Sequence, residues 1–190
     1  MRALNKKTMP NALGREEAKE RVAFRYTEKF LNKYGFTCVR TQGKYDPWDV
    51  TAIKDGQILL VENKIRDVDL AFYKDEGVLV DYSKAVELIK SSRETALRFE
   101  TPCAPILMEW FWVDNQMVVF NLDDFNIEDT VVEMYCSIGE RTRERRTKKM
   151  CMIPLKWGRV YTLNLTKMVE HQKQVYNKFM EKNLPWLVEG

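Results

Sequence analysis

The chain has 190 residues, with 31 Lys+Arg against 28 Asp+Glu for a formal net charge of +3, and it is 45 % hydrophobic. A chain of this size buries roughly 70 % of its unfolded surface, so it needs neither disulfides nor a structural metal to hold a core, and so small a charge decides nothing about a polyanionic partner. The four cysteines, Cys38, Cys103, Cys136 and Cys151, form no CxxC pair, which speaks against structural zinc, iron–sulfur clusters and a disulfide framework. Residues 1–14 carry Arg2, Lys6, Lys7 and Pro10 where a signal peptide would be apolar, and the most apolar region, 104–120, is interrupted by Glu109 and Asp114. One soluble domain without a membrane segment, in the reducing cytoplasm, is the expectation.

From Arg15 to Tyr34 the apolar positions Ala23, Tyr26, Phe30 and Tyr34 step by three, four and four residues, and Gly35 follows; this predicts an amphipathic first helix that stops at the glycine. Residues 36–40 read as extended. Trp48 to Ile53 and Ile58 to Asn63 are short apolar runs on either side of Lys54-Asp55-Gly56-Gln57, and Asp-Gly between such runs predicts a hairpin. After an irregular stretch, Asp81 can cap a second helix in which Tyr82, Ala85, Ile89, Ala96 and Phe99 keep helical spacing. Pro105 to Val113 and Met117 to Leu122, joined at Asp114-Asn115, predict a second strand pair. Strands are expected near Val131 to Cys136 and Met150 to Leu155 with a basic run between them, and a C-terminal helix from about Leu165 to Lys182. The order helix, strands, helix, strands predicts an α/β fold with a mixed β-sheet flanked by α-helices.

The hairpin fixes a register. With Asp55-Gly56 as a two-residue turn, Ile53 lies opposite Ile58, Thr51 opposite Leu60 and Asp49 opposite Glu62, all on one face, and Lys64 follows two residues beyond Glu62. Two acids so placed repel unless a cation lies between them. They also form an oxygen-rich site for a hard cation, and Mg²⁺ typically takes one or two carboxylates, several waters and a phosphate oxygen. Such a cation generates hydroxide and neutralises a scissile phosphate, while a nearby lysine orients the water or stabilises the developing charge. That is the chemistry of phosphodiester hydrolysis.

Asp49, a spacing of 13 residues and then Glu62-Asn63-Lys64 resembles the PD-(D/E)XK nuclease superfamily, its small Holliday-junction-resolvase-like and phage-type members most of all. The resemblance covers about residues 14–122 and implies a restriction-endonuclease-like fold with an αβββαβ core, the strands and helix of 123–190 being added to it. It further implies that Asp49 and Glu62 bind Mg²⁺ or Mn²⁺, that the Asn63 backbone carbonyl adds a ligand, that Lys64 is catalytic and that a first-helix glutamate completes the site. Glu20 is favoured, then Glu17, because Glu20 lies about 60° from the mean direction of the apolar stripe and Glu17 about 120°; Glu16 points inward further from the hairpin. Trp48 stands where the family pattern has proline, and no Gln-xxx-Tyr occurs between residues 65 and 115, which gives the helicase-linked branch little weight.

Asp46, 16 residues before Glu62, is out of register and reads as a turn residue. Arg141, Arg143, Arg145, Arg146, Lys148 and Lys149, with one acid, Glu144, form a run of local charge +5 that could contact phosphates, with Arg66 and Lys84 as weaker candidates. His171 has no partner in a relay, and Trp110 and Trp112 read as packing residues. The expectation is a Mg²⁺- or Mn²⁺-dependent endodeoxyribonuclease, with DNA preferred to RNA by resemblance only. The rivals are an inactive nucleic-acid-binding or protein-interaction module of the same fold and a viral-polymerase-like RNA endonuclease. Cutting both strands of a duplex calls for two active sites and so for a homodimer, although no apolar stripe assigns its interface.

Overall fold

A computed structural model describes residues 23–41, 46–66, 69–73, 77–111, 115–137 and 145–162. Helix α1 is described over 23–32 and gives way to a turn at Gly35, whose φ of +84° suits a glycine stop. Its inward positions are Ala23, Tyr26, Thr27 and Leu31, whereas Tyr34, expected on the apolar stripe, is half exposed beyond the last helical turn. Strands β1 (Thr37–Arg40), β2 (Val50–Lys54) and β3 (Gln57–Arg66) follow as an antiparallel meander. The β2–β3 ladder runs from Lys54↔Gln57 to Val50↔Val61, the register deduced from the Asp55-Gly56 turn. Only Gly56 takes a positive φ there, +70°.

The stretch read as irregular contains a further strand, β4 (Val78–Asp81), which runs directly into α2 (Tyr82–Phe99). Asp81 caps that helix as expected, its carboxylate accepting from the Ser83 and Lys84 amides. Strands β5 (Cys103–Phe111) and β6 (Gln116–Asn121) form the expected antiparallel pair. They are followed by β7 (Val131–Ser137), β8 (Arg145–Ile153) and β9 (Arg159–Thr162). The latter half of the basic run is thus strand, because β8 begins at Arg145 and pairs along its length with β7. The expected C-terminal helix lies outside the described residues.

The principal sheet has the order β1-β2-β3-β5-β6-β9, with β3 and β5 parallel and every other pair antiparallel. This is the mixed sheet expected, and α1-β1-β2-β3-α2-β5 reproduces the αβββαβ order, with β4 interposed. A second antiparallel sheet, β4-β8-β7, was not foreseen. The two faces of the principal sheet are covered by different layers. On one, Tyr26 and Leu31 of α1 pack against Val50, Ala52, Val61, Met108 and Trp110. On the other, Ala85, Leu88 and Ile89 of α2 pack with Leu60, Leu107 and Phe111 and with Val78, Val80, Cys151 and Ile153 of the second sheet. Gly77 joins the layers at close quarters: its φ is +90°, and a Cβ there would lie 2.3 Å from the Ile153 carbonyl oxygen.

Candidate active site

Strand β3 changes character along its length. On the face towards α2 it presents Ile58 and Leu60 to the core and then, by the two-residue period, Glu62, Lys64 and Arg66. Glu62 is only 4 % exposed. Its carboxylate Oε1 accepts a hydrogen bond from the Lys64 ammonium, and the Lys84 ammonium on α2 lies 3.7 Å from the same oxygen. Burial, reinforced by the charge of Asp49 and opposed by Lys64 and Lys84, pushes the Glu62 pKa up to about 7. Lys64 is raised in turn: burial works against its charge, and the neighbouring Glu62, Asp49 and Glu109 outweigh it.

Asp49 sits just outside the β2–β3 ladder, one residue out of its register. Its amide donates to the Val61 carbonyl at 2.8 Å, its carbonyl accepts from the Thr41 amide at 2.9 Å, and its Oδ2 accepts from the Asn63 amide at 2.8 Å. A carboxylate oxygen thus takes the place of a ladder carbonyl, which fixes its orientation beside Glu62. Trp48 supports this segment by packing on the core and donating from its indole to Thr51 Oγ1 at 3.1 Å. The middle residue of Glu62-Asn63-Lys64 turns to the opposite face, where Asn63 Oδ1 accepts from the buried Thr27 hydroxyl of α1 at 2.7 Å. Asp46 is exposed and lies in neither a helix nor a strand.

Among the described residues no group of three His, Cys, Asp or Glu side chains forms a ready metal cluster. Asp49 and Glu62 nevertheless suit a hard divalent cation: both offer oxygen, they are close enough for one charge to act on the other, and burial denies Glu62 the water that would otherwise relieve it. Glu20 and Glu17 lie outside the described residues. The apolar stripe of α1, over its described part, packs on the sheet face opposite Glu62, so alignment with that stripe does not by itself aim a side chain at the carboxylates.

Three neighbours of the site, Glu109, Arg66 and Lys84, went unrecognised or underweighted in the sequence. Glu109 of β5, wholly buried, is the Cα partner of Lys64 in the parallel β3–β5 ladder. Arg66 grips it at 2.6 Å through Nε and 3.0 Å through Nη2, and Nη2 also donates to the Leu79 carbonyl of β4 at 2.9 Å. Arg66 therefore ties the two sheets together. Lys84 does reach the site. Of the basic run, Lys148 pairs with Asp81 at 2.6 Å and the Lys149 ammonium lies 5.7 Å from the Tyr82 ring centroid. The side chains of Arg145 and Arg146, like residues Arg141 and Arg143, fall outside the described set. Trp110 is buried beside Tyr26, as a packing residue.

No family model matches the chain, and no curated protein matches it in sequence. Among solved structures it is similar to Hjc, a Holliday junction resolvase from the archaeal hyperthermophile Archaeoglobus fulgidus, with 17 % identity over 80 % of this chain and 96 % of that one and a TM-score of 0.44. A likeness this slight carries no functional information. The molecule is defined by its own architecture, a mixed α/β sheet with a buried carboxylate–lysine site on one face. No helix among the described residues is long and apolar enough to cross a membrane.

Proposed function

We propose that the protein is a Mg²⁺- or Mn²⁺-dependent nuclease of PD-(D/E)XK type that hydrolyses phosphodiester bonds in DNA. One observation carries this reading: Asp49 and the buried Glu62 converge beside Lys64 at the polar end of a strand whose preceding residues are core. An ionised pair in such a place costs stability, and a use explains its being kept.

The Asp49 and Glu62 carboxylates would hold the metal, with the Asn63 carbonyl and a first-helix glutamate, Glu20 or Glu17, as further ligands. When bound, a divalent cation makes its water acidic and offsets negative charge on the phosphate. Lys64, held at Glu62, orients the attacking water and stabilises charge on the phosphate oxygens as they gain it. The water oxygen forms a bond to phosphorus, its proton passes to solvent, the ester P–O bond opposite breaks, and the leaving oxygen takes up a proton. The products are a phosphate monoester end and a hydroxyl end. Basic residues of the 141–149 segment would contact flanking phosphates, and a homodimer would bring two such sites to the two strands of a duplex.

Purified protein incubated with supercoiled plasmid, single-stranded DNA, a four-way junction and RNA, with Mg²⁺, Mn²⁺ or chelator, tests the reading. Metal-dependent cutting of DNA by the wild type and not by Lys64→Ala supports it. Equal nicking by both proteins, or none by either, contradicts it.

A further inference from the structure

We infer that Lys84 is a second cation of this site, one that binds the substrate by holding a non-bridging oxygen of the phosphodiester group to be cut, while Lys64 remains with Glu62 and the water. The inference rests on the nuclease reading and assigns that site a residue outside the Glu-x-Lys motif.

The placement of Lys84 is determined by the helix that bears it. Asp81 caps α2 and accepts from the Lys84 amide at 3.4 Å, so the backbone at Lys84 is held in the first turn. Side chains there lean back towards the helix N-terminus, and the Lys84 ammonium ends 3.7 Å from Glu62 Oε1. Its side chain is 48 % exposed, against 5 % for Glu62. It therefore reaches from solvent to the rim of the buried carboxylate, and one end of it stays accessible to a ligand.

A purely structural ion pair explains this poorly. Glu62 already has Lys64 on the same oxygen, and a half-exposed pair at 3.7 Å contributes little to stability. Charge balance accounts for it better. Asp49 and Glu62 bring two negative charges, and Lys64 and Lys84 bring two positive ones. Adding a divalent cation leaves a surplus of two positive charges. A first-helix glutamate on the metal would reduce that surplus by one, and a phosphodiester anion attacked by hydroxide carries two negative charges in the transition state, so neither lysine is in excess. Without Lys84 the surplus falls by one more, and the loss is felt most where the negative charge is greatest.

Wild type, Lys84→Ala, Lys84→Arg and Asp49→Ala are compared in three measurements: single-turnover cutting of a labelled DNA duplex with Mg²⁺, affinity for the same duplex against salt in chelator, and Tm with and without Mn²⁺. Lys84→Ala is expected to cut about 10- to 100-fold more slowly, the range for a hydrogen bond to a charged group. Its plot of log affinity against log salt should be shallower by about one. It should keep the wild-type rise in Tm with Mn²⁺, which also shows that the variant is folded, whereas Asp49→Ala loses that rise. Lys84→Arg should recover most of the salt slope. Cutting by Lys84→Ala at the rate of an active wild type overturns the inference alone, as does loss of its Mn²⁺ response. A wild type that cuts nothing and melts alike with and without Mn²⁺ overturns the nuclease reading, and the role of Lys84 with it.

Discussion

Glu62 follows Leu59-Leu60-Val61 directly, and the strand that buries those residues buries the carboxylate too. Its pKa near 7 is the consequence of burial beside Asp49. Asp49→Asn keeps the oxygen that accepts from the Asn63 amide and removes the repelling charge. In chelator it should be at least as stable as wild type. In Mn²⁺ it should lack the wild-type stabilisation, which is about 2.7 kcal/mol at a metal concentration 100 times its Kd; thermal melts of the two proteins with and without metal measure the difference. Glu109 poses the opposite case. It is wholly buried, and Arg66 is its partner, so Glu109→Ala leaves a guanidinium uncompensated and should cost about 3 to 5 kcal/mol in urea unfolding. The double variant Glu109→Leu/Arg66→Met should lose much less. These two acids were not equally readable. A turn fixes the β2–β3 register that carries Glu62 and ends beside Asp49, whereas Glu109 meets Lys64 across a parallel ladder whose strands are separated by β4 and α2. No local chemistry sets that register.

At the scale of elements, the hairpin and α2 followed from short-range rules: a glycine in the turn, an aspartate at the cap and apolar residues at helical spacing. Strands β4 and β9 did not. Each has four residues, too few for alternation to stand out, and each is defined by the strand it pairs with far along the chain. The start of β8 was hidden because Arg145 to Lys149 carry charges that read as a solvated loop, yet the strand lies between β4 and β7. Asp81 joins these pieces, capping α2 and holding Lys148 of β8. Burial works to raise its pKa, but Lys148, Ser83 and the Lys84 amide together lower it from 3.8 to about 2. A lowered acid stabilises the fold fully above its unfolded pKa and loses that contribution as pH falls through the folded value. Asp81→Ala should therefore cost about 1 to 2 kcal/mol near neutrality. The gap from wild type, measured by urea titration, should narrow as pH drops from about 4 towards 2.

Across the whole molecule, the principal sheet separates two functions by face. One side, under α1, is apolar packing with the Thr27–Asn63 hydrogen bond holding helix to strand. The other is closed by α2 and the second sheet and carries Asp49, Glu62, Lys64, Lys84 and the Arg66–Glu109 pair at the polar end of β3. Local pattern was enough to expect a mixed sheet and to place three candidate residues, Asp49, Glu62 and Lys64, on or beside one hairpin. It could not show that a second sheet would wall the site, because that wall is built from long-range pairings of β4, β7 and β8. The measurement that tests the central claim most directly is cleavage of supercoiled plasmid and a four-way junction by wild type, Asp49→Ala and Lys64→Ala, each in Mg²⁺, Mn²⁺ and chelator. The account predicts cutting by the wild type in metal alone, and none by either variant. Cutting that persists in chelator, or that the two variants share with wild type, would contradict it.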